Sequence, residues 1–370
     1  MTKQLLLLNG LAIVGVILFH SAGWGFVALF AWAGRYLPVA SPDFSQAGSV
    51  AYYGLRLIEQ ATAFSIPGFL CVTGFFVAFS TGDAGSGSIL SRAWGRIRML
   101  IIPYVIWSAI VIFGLYLQDR RLDLVALLRM LLTGASNPAY YFVPLLIQLY
   151  LLGPLLVRIG RASPGLLLAG TGALQVVFYL AQYPILLRPD LPVVRLLALL
   201  TPKWLVLAYL FWFSLGITLR LHLPRLREAV DKWRGMILAA IPLTYAAGVV
   251  EWELLRRWSG QPWIDTRTTL IDGMYAGAML LAWLFFFTRL PNWFTRPAAG
   301  IGTQSYGIYL VHVPVMEVVA RGVYHFAPPV LGLPAVFLPL LVAAGLGAPL
   351  LGMALVRRSP LRPMYPYLFG

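Results

Sequence analysis

Apolar residues run almost unbroken from Leu5 to about Trp32, and comparable runs recur along the whole chain between short breaks rich in Arg, Pro and Gly. A helix rises about 1.5 Å per residue, so about 20 apolar residues cross the hydrocarbon of a bilayer. On that length the pattern predicts an all-α, polytopic membrane bundle of about 10 transmembrane helices. The first half gives Leu5–Phe30, Thr62–Phe79, Met99–Leu117, Tyr140–Val157 and Gly165–Leu186. The second half gives Trp204–Leu221, Met236–Leu255, Leu270–Phe287, Gln304–Val319 and Val330–Val356. The last run is long for one crossing, and Pro339 and Pro349 mark it for a kink or a break.

The first run far exceeds the roughly 7–15 residues of a signal-peptide core, so it reads as a retained span. The breaks are too short to fold as soluble units, and residues 1–370 are expected to form a single transmembrane domain. The longest breaks, Ala31–Ala61 and Leu187–Lys203, are rich in Pro, Gly and aromatics and are expected to cap one face. The segment Leu122–Leu132 has the spacing of an interfacial amphipathic helix.

Composition supports the membrane reading. Of 370 residues 60% are hydrophobic and only 11% charged, with mean hydropathy +0.80. Soluble domains carry about 25% charged residues. The formal net charge of +15 would suggest a nucleic-acid partner in a soluble chain. Here the basic residues lie in short breaks between spans, so topology accounts for them and no nucleic acid is implied. With the N-terminus inside, the positive set is Lys3, the cluster Arg92–Arg98, Arg158, Arg161, the run Arg220–Arg234, Arg289, Arg296 and Arg357–Arg362. Only Asp83, Glu228 and Asp231 fall on the same side. An even number of spans then places both termini in the cytoplasm. The single cysteine, Cys71, sits inside an apolar run and has no partner within the chain.

Ionisable residues inside spans are costly, and each is a functional hypothesis. His20, in LNGLAIVGVILFHSAGWGF, is the first of them; a histidine titrates near neutral pH and serves as a general base. The competing reading is a histidine hydrogen-bonded between helices for packing alone. Asn9 precedes it by 11 residues, a net rotation of about 20°, so the two share a helix face about 16 Å apart. In FSIPGFLCVTGFF, the residues Gly68, Thr73 and Gly74 allow close helix approach. Arg92, Arg96 and Arg98 cluster at a span boundary, where arginines either anchor topology or grip phosphate. Tyr140 and Tyr141 open a span, as aromatic-belt residues do. The span Ser305–Val319 carries Ser305, His312 and Glu317. Glu59, Glu251, Glu253 and Asp272 are further acids on the same outer side as His20, any of which could orient its ring. His222 and His325 sit in loops. The four histidines are too dispersed for a sequence-local metal site, and no nucleotide-binding loop is present, so no metal and no tightly bound cofactor are expected.

In order along the chain, these segments resemble the acyltransferase-3 family of bacterial membrane acyltransferases. LNGLAIVGVILFHS is similar to its first span, where a basic residue stands 11 positions before the histidine. PGFLCVTGFF resembles its aromatic-rich FFxxSGF stretch, with Thr73 in the Ser position. GRIRMLIIPYVIW resembles its Arg-rich approach to the third span. YFVPLLIQLYLLGPLL and SYGIYLVHVPV resemble its WFLxxLxxxYL and S-x-x-IYLxHxP segments. The likeness reaches to about residue 320.

The resemblance implies transfer of an acyl group, commonly acetyl, from cytoplasmic acyl-CoA to a hydroxyl of an envelope glycan, lipid-linked sugar or similar acceptor. It makes His20 the catalytic base or a transiently acylated nucleophile. Arg96 and Arg98, with Arg92 beside them, become candidates for the CoA phosphates. Asn9, Thr73 and Tyr141 become candidate oxyanion donors, and Tyr141, Ser305, His312 and Glu317 candidate acceptor contacts. The chain departs from the family at Asn9, where Arg or Lys is usual. An amide cannot supply that charge, so Lys3 or an arginine of the Arg92–Arg98 cluster would have to. Two other readings are a glycan or lipid transporter using His20 and Glu317 for coupling, and a non-catalytic relative, which the departure at Asn9 leaves open.

Overall fold

The computed structural model describes residues 2–80, 86–118, 122–264, 268–287 and 290–370, without the side chains of 86–93. Arg92, as a side chain, and Asp83 and Arg289 therefore lie outside the described residues. Everything described is helix or connecting turn, with no strand.

The helices follow the apolar runs. In chain order they are α1 (Thr2–Phe26), α2 (Val50–Thr62), α3 (Ser65–Ser80), α4 (Ser86–Leu117), α5 (Leu124–Thr133), α6 (Phe142–Ala162), α7 (Pro164–Leu187) and α8 (Pro192–Leu200). There follow α9 (Leu210–Leu221), α10 (Leu223–Lys232), α11 (Arg234–Ser259), α12 (Leu270–Leu281), α13 (Asn292–Thr303), α14 (Ser305–Phe326), α15 (Pro334–Arg358) and α16 (Tyr365–Phe369). A π-helical turn, Val27–Ala31, extends α1, and a second, Ala282–Phe286, extends α12.

Among the described residues, 7 helical runs are long and apolar enough to cross a membrane. Each overlaps one of the ten expected spans, although the second, Val50–Ser80, takes in α2 and so begins 12 residues before the expected Thr62. The other three expected spans are helical but differ in kind. α9 has only 12 residues, and α12 with its π turn covers Leu270–Phe286. α14 has 22 residues, yet its polar side chains, including His312, Glu317 and Arg321, lower its hydropathy. Short or polar helices survive here because other helices cover them: α9 is buried from Leu210 to Leu219 apart from Phe211. The interfacial segment forms α5, capped by Asp123 accepting from the Ala126 amide at 2.6 Å, with no residue buried. Pro339 and Pro349 lie inside one continuous α15.

Glycines set two of the tightest helix pairs. A Cβ on Gly10 would strike the Ala298 carbonyl and one on Gly302 the Leu6 carbonyl, so α1 and α13 touch backbone to backbone. Gly74 and Gly216 do the same for α3 and α9, against Phe213 and Cys71. Small residues give this close van der Waals packing where no hydrophobic drive operates between helices in lipid.

Both chain ends meet at one end of the bundle. Asn9 bonds Ser305, the Tyr306 hydroxyl donates to the Leu100 carbonyl at 2.6 Å, and Trp107 donates to the Leu368 carbonyl at 2.9 Å. The loop before α2 lies in the stretch expected to cap one face, whereas α2 itself belongs to the Val50–Ser80 run. The Ser45 amide and hydroxyl both donate to Asp43 and hold its carboxyl below the usual carboxylate range, which keeps that loop in a tight turn.

Candidate functional site

His20 stands on α1 against His312 on α14, with ring centroids 5.3 Å apart. The placement of His312 follows from Pro314. A proline has no amide proton, so the carbonyl four residues back, Leu310, loses its helical donor. The Tyr140 hydroxyl takes that place, donating to Leu310 at 2.6 Å. Tyr309, one residue before, donates its own hydroxyl to the Ala139 carbonyl. These two bonds pin α14 to the turn before α6.

His312 Nδ1 lies 2.7 Å from the Tyr309 carbonyl and 3.2 Å from that of Ile308. A carbonyl only accepts, so Nδ1 carries the proton and Nε2 presents a bare lone pair. That buried Nε2 has no hydrogen-bond partner among the described residues. It is an acceptor held beside His20, whose own ring receives no hydrogen bond from the described residues. An N–H of His20 turned toward it would leave the other His20 nitrogen free as a base.

His20 forms part of the wall of a cavity of about 840 Å³ that extends to the loop residues Pro42, Lys203, Trp263 and Thr268. The size suits a small-molecule or glycan-unit site. The π turn after α1 contributes Val27, Phe30 and Ala31; such turns recur where a helix re-aims its side chains at a site.

The expected site residues divide into three groups. His20, Tyr141 and Glu317 share the cavity wall, with His312 immediately behind. Glu317 is paired with Arg321 at 2.8 Å. Asn9 and Ser305 lie elsewhere, toward the chain ends: Asn9 Nδ2 donates to Ser305 Oγ at 2.8 Å and to the Gly302 carbonyl at 3.0 Å. Asn9 and His20 do share a face, for both meet α14, at Ser305 and His312. Those two residues are about two turns apart on one side of that helix.

Thr73 is not in the cavity wall; its hydroxyl returns to the Phe69 carbonyl at 2.8 Å, as helical threonines do. Of the three expected oxyanion donors, Tyr141 alone lines the cavity. Arg96 spans the α3–α4 contact, 3.4 Å from the Phe76 carbonyl and 5.8 Å from the Tyr150 ring centroid, while Arg98 is exposed. Lys3 is exposed as well.

Of the expected orienting acids, Glu59 and Asp272 line the cavity. Glu253 is engaged by Arg256 and Arg257, both at 2.8 Å. Glu251 accepts from Thr269 at 2.6 Å and from Tyr183 at 2.5 Å. Against His20 itself stands a second histidine, His312.

Arg56 and Gln60 belong to the cavity wall and were not singled out from sequence. A signal for them exists. Tyr52, Leu55, Arg56, Glu59 and Gln60 follow an i, i+3, i+4, i+7, i+8 spacing and are all buried, so the apolar stripe of α2 carries three polar residues. Among the described residues no cluster of three or more His, Cys, Asp or Glu could hold a metal ion.

A family model described as an acyltransferase domain matches residues 4–353, nearly the whole chain. No curated protein and no solved structure matches it.

Proposed function

The chain belongs to the acyltransferase-3 family and is in general terms a membrane acyltransferase; from that footing we propose that it moves an acyl group, commonly acetyl, from cytoplasmic acyl-CoA to a hydroxyl of an envelope glycan or glycolipid, with His20 as the base. The observation that carries the reading is the pairing of His20 with His312 at the wall of a cavity large enough for an acceptor unit. With the N-terminus in the cytoplasm, as the charge bias implies, the cavity faces outward and receives the acceptor.

The chemistry then runs as follows. His312 Nε2 accepts the N–H of His20 and fixes its ring. The other His20 nitrogen takes the proton of the acceptor hydroxyl. The hydroxyl oxygen bonds to the thioester carbonyl carbon, and Tyr141 is the donor available to the oxyanion that forms. The oxyanion collapses, the carbon–sulfur bond breaks, and the CoA thiolate leaves with the proton that His20 holds. The donor side is the less furnished half. Arg96 and Arg98 remain the phosphate candidates among described side chains, and Asn9 serves as a helix clamp rather than as a charge.

The test is transfer from radiolabelled acetyl-CoA by the purified full chain, compared with His20→Ala. Loss of a general base costs about 10²–10⁴-fold in rate. A wild type that neither binds CoA, hydrolyses the thioester nor transfers label would overturn the reading.

A further inference from the structure

The apolar run expected to cross as Trp204–Leu221 is a broken span. Its α-helix, α9, has 12 residues, a length of about 18 Å against the roughly 30 Å of a hydrocarbon core. The Leu221 end of α9 is level with the end of α6, where His222 Nε2 lies 2.9 Å from the Gly160 carbonyl. The shortfall is therefore at the Leu210 end. Residues 201–209 fill it without an α-helix, with a single 3-10 turn at Val206–Ala208.

Side chains of the flanking helices meet backbone groups of this segment. Gln148, about two turns into α6, donates to the Trp204 carbonyl at 2.8 Å and accepts from the Val206 amide at 3.3 Å. Gln175, midway along α7, donates to the Ala208 carbonyl. Irregular backbone at membrane depth survives only where protein covers it or where it lines a cavity. Here it lines the cavity that holds His20, to which it contributes Lys203 and Tyr209, the latter beside Tyr141.

Lys203 is exposed, and its ammonium is near enough to the His20 ring to act on it electrostatically. Arg56, also in the wall, is bound to Glu59 at 2.9 Å and to the Gln60 side chain at 3.2 Å and is almost wholly buried. With the N-terminus inside, Lys203 falls outside, where insertion does not call for a lysine. A cation beside a base that must take up a proton is a liability unless negative charge develops at the same place. In acyl transfer it does. As the acceptor oxygen bonds to the thioester carbonyl carbon, the carbonyl electron pair moves onto its own oxygen, and a cation held nearby meets that charge only as it forms. We infer that Lys203, carried into the bundle by the unwound segment before α9, is a catalytic residue that stabilises the tetrahedral oxyanion alongside Tyr141. The inference rests on the acyl-transfer reading.

Cys71 is fully buried and is the only cysteine, so Lys203→Cys places one accessible thiol in the cavity. The full chain carrying it, in phosphatidylethanolamine–phosphatidylglycerol nanodiscs, is treated with aminoethyl methanethiosulfonate. The thiol forms a mixed disulfide and expels methanesulfinate, which rebuilds an ammonium side chain slightly longer than lysine. Methyl methanethiosulfonate adds a neutral cap instead, and the sulfonatoethyl reagent an anionic one. Turnover of radiolabelled acetyl-CoA is followed as release of acetate and as transfer to methyl glucoside, since both pass through the same oxyanion. Lys203→Cys is expected to lower kcat about 10²–10³-fold, the cost of one oxyanion contact. The KM for acetyl-CoA should stay unchanged, as for a group that acts only in the transition state. The aminoethyl product should regain about 10-fold or more, the neutral and anionic products nothing, and Lys203→Arg should keep most of the rate. Monodisperse elution with native tryptophan fluorescence confirms folding, and treated wild type serves as the control for Cys71.

The inference is overturned if Lys203→Cys turns over as fast as wild type, if the ammonium restores nothing, or if the neutral cap restores as much. A wild type that neither releases nor transfers label overturns the acyltransferase reading and this inference with it. A working wild type with an undiminished Lys203→Cys overturns this inference alone.

Discussion

Asn9→Ala removes the two bonds by which α1 grips the junction between the end of α13 and the start of α14. Both are well formed, at 2.8 Å to Ser305 and 3.0 Å to the Gly302 carbonyl. A hydrogen bond contributes about 0.5–1.5 kcal/mol net, so losing both costs about 1–3 kcal/mol. The part shared with Ser305 is isolated by a cycle of Asn9→Ala, Ser305→Ala and the double variant. Interhelical hydrogen bonds measured that way in membranes average about 0.6 kcal/mol and reach about 1.7, and the coupling is expected in that range. Equilibrium unfolding in mixed micelles, followed by tryptophan fluorescence, supplies the four free energies. A coupling within error of zero, with Asn9→Ala as stable as wild type, would refute the clamp. The same proteins assayed for acyl transfer per folded molecule separate clamp from catalysis: a clamp predicts activity per folded molecule close to that of wild type. Asn9→Arg, which restores the charge usual in the family, is expected to preserve or raise CoA affinity. A large loss would show that this site is fitted to another arrangement.

Three further outcomes are expected. His312→Phe keeps a ring beside His20 but removes the Nε2 lone pair; transfer should fall about 10²-fold or more with acyl-CoA KM unchanged, and His312→Gln, which retains an acceptor oxygen, should recover part of it. An unchanged kcat in His312→Phe would exclude His312 from orienting His20. Tyr140→Phe leaves the Leu310 carbonyl with no donor, because Pro314 cannot supply one, and should cost about 1–3 kcal/mol. Adding Pro314→Ala returns an amide proton and should recover stability, and failure of that rescue would show that the bond from Tyr140 is not what holds the kink. Cys71, fully buried, should resist membrane-permeant maleimide until the protein is unfolded in detergent; labelling of the native protein would mean that the α3–α9 contact opens.

The contrast between α2 and α1 shows how much could be read before folding. Span existence is a local property: twenty apolar residues in a row must be sheltered by lipid or by other helices, and α1, α4, α6, α7, α11 and α15 follow from that alone. His20 was legible for the same reason, since a polar group in such a run is costly. The shared face of Asn9 and His20 followed from helical periodicity, although periodicity could not say that Asn9 would be spent on Ser305 and Gly302. Which runs shorten was not local. α9 is a 12-residue helix because α3, α6 and α7 cover it, and no pattern within 210–221 records that. Thr73 stood in the right motif, but its side chain turned back on its own helix. The partner of His20 lies nearly 300 residues away, and so does the reason it sits there: a missing amide at Pro314, whose place is filled by Tyr140 from the turn before α6. Arg56 and Gln60 lay unremarked in an expected outer cap, and Glu59 and Asp272 were separate candidate partners of His20, until the bundle joined all four in one hydrogen-bonded chain. Sequence by itself determined the helices and the one residue whose burial needed explaining; only the tertiary structure decided what stands opposite it, because hydrogen-bond partners and cavities arise between helices and not along them.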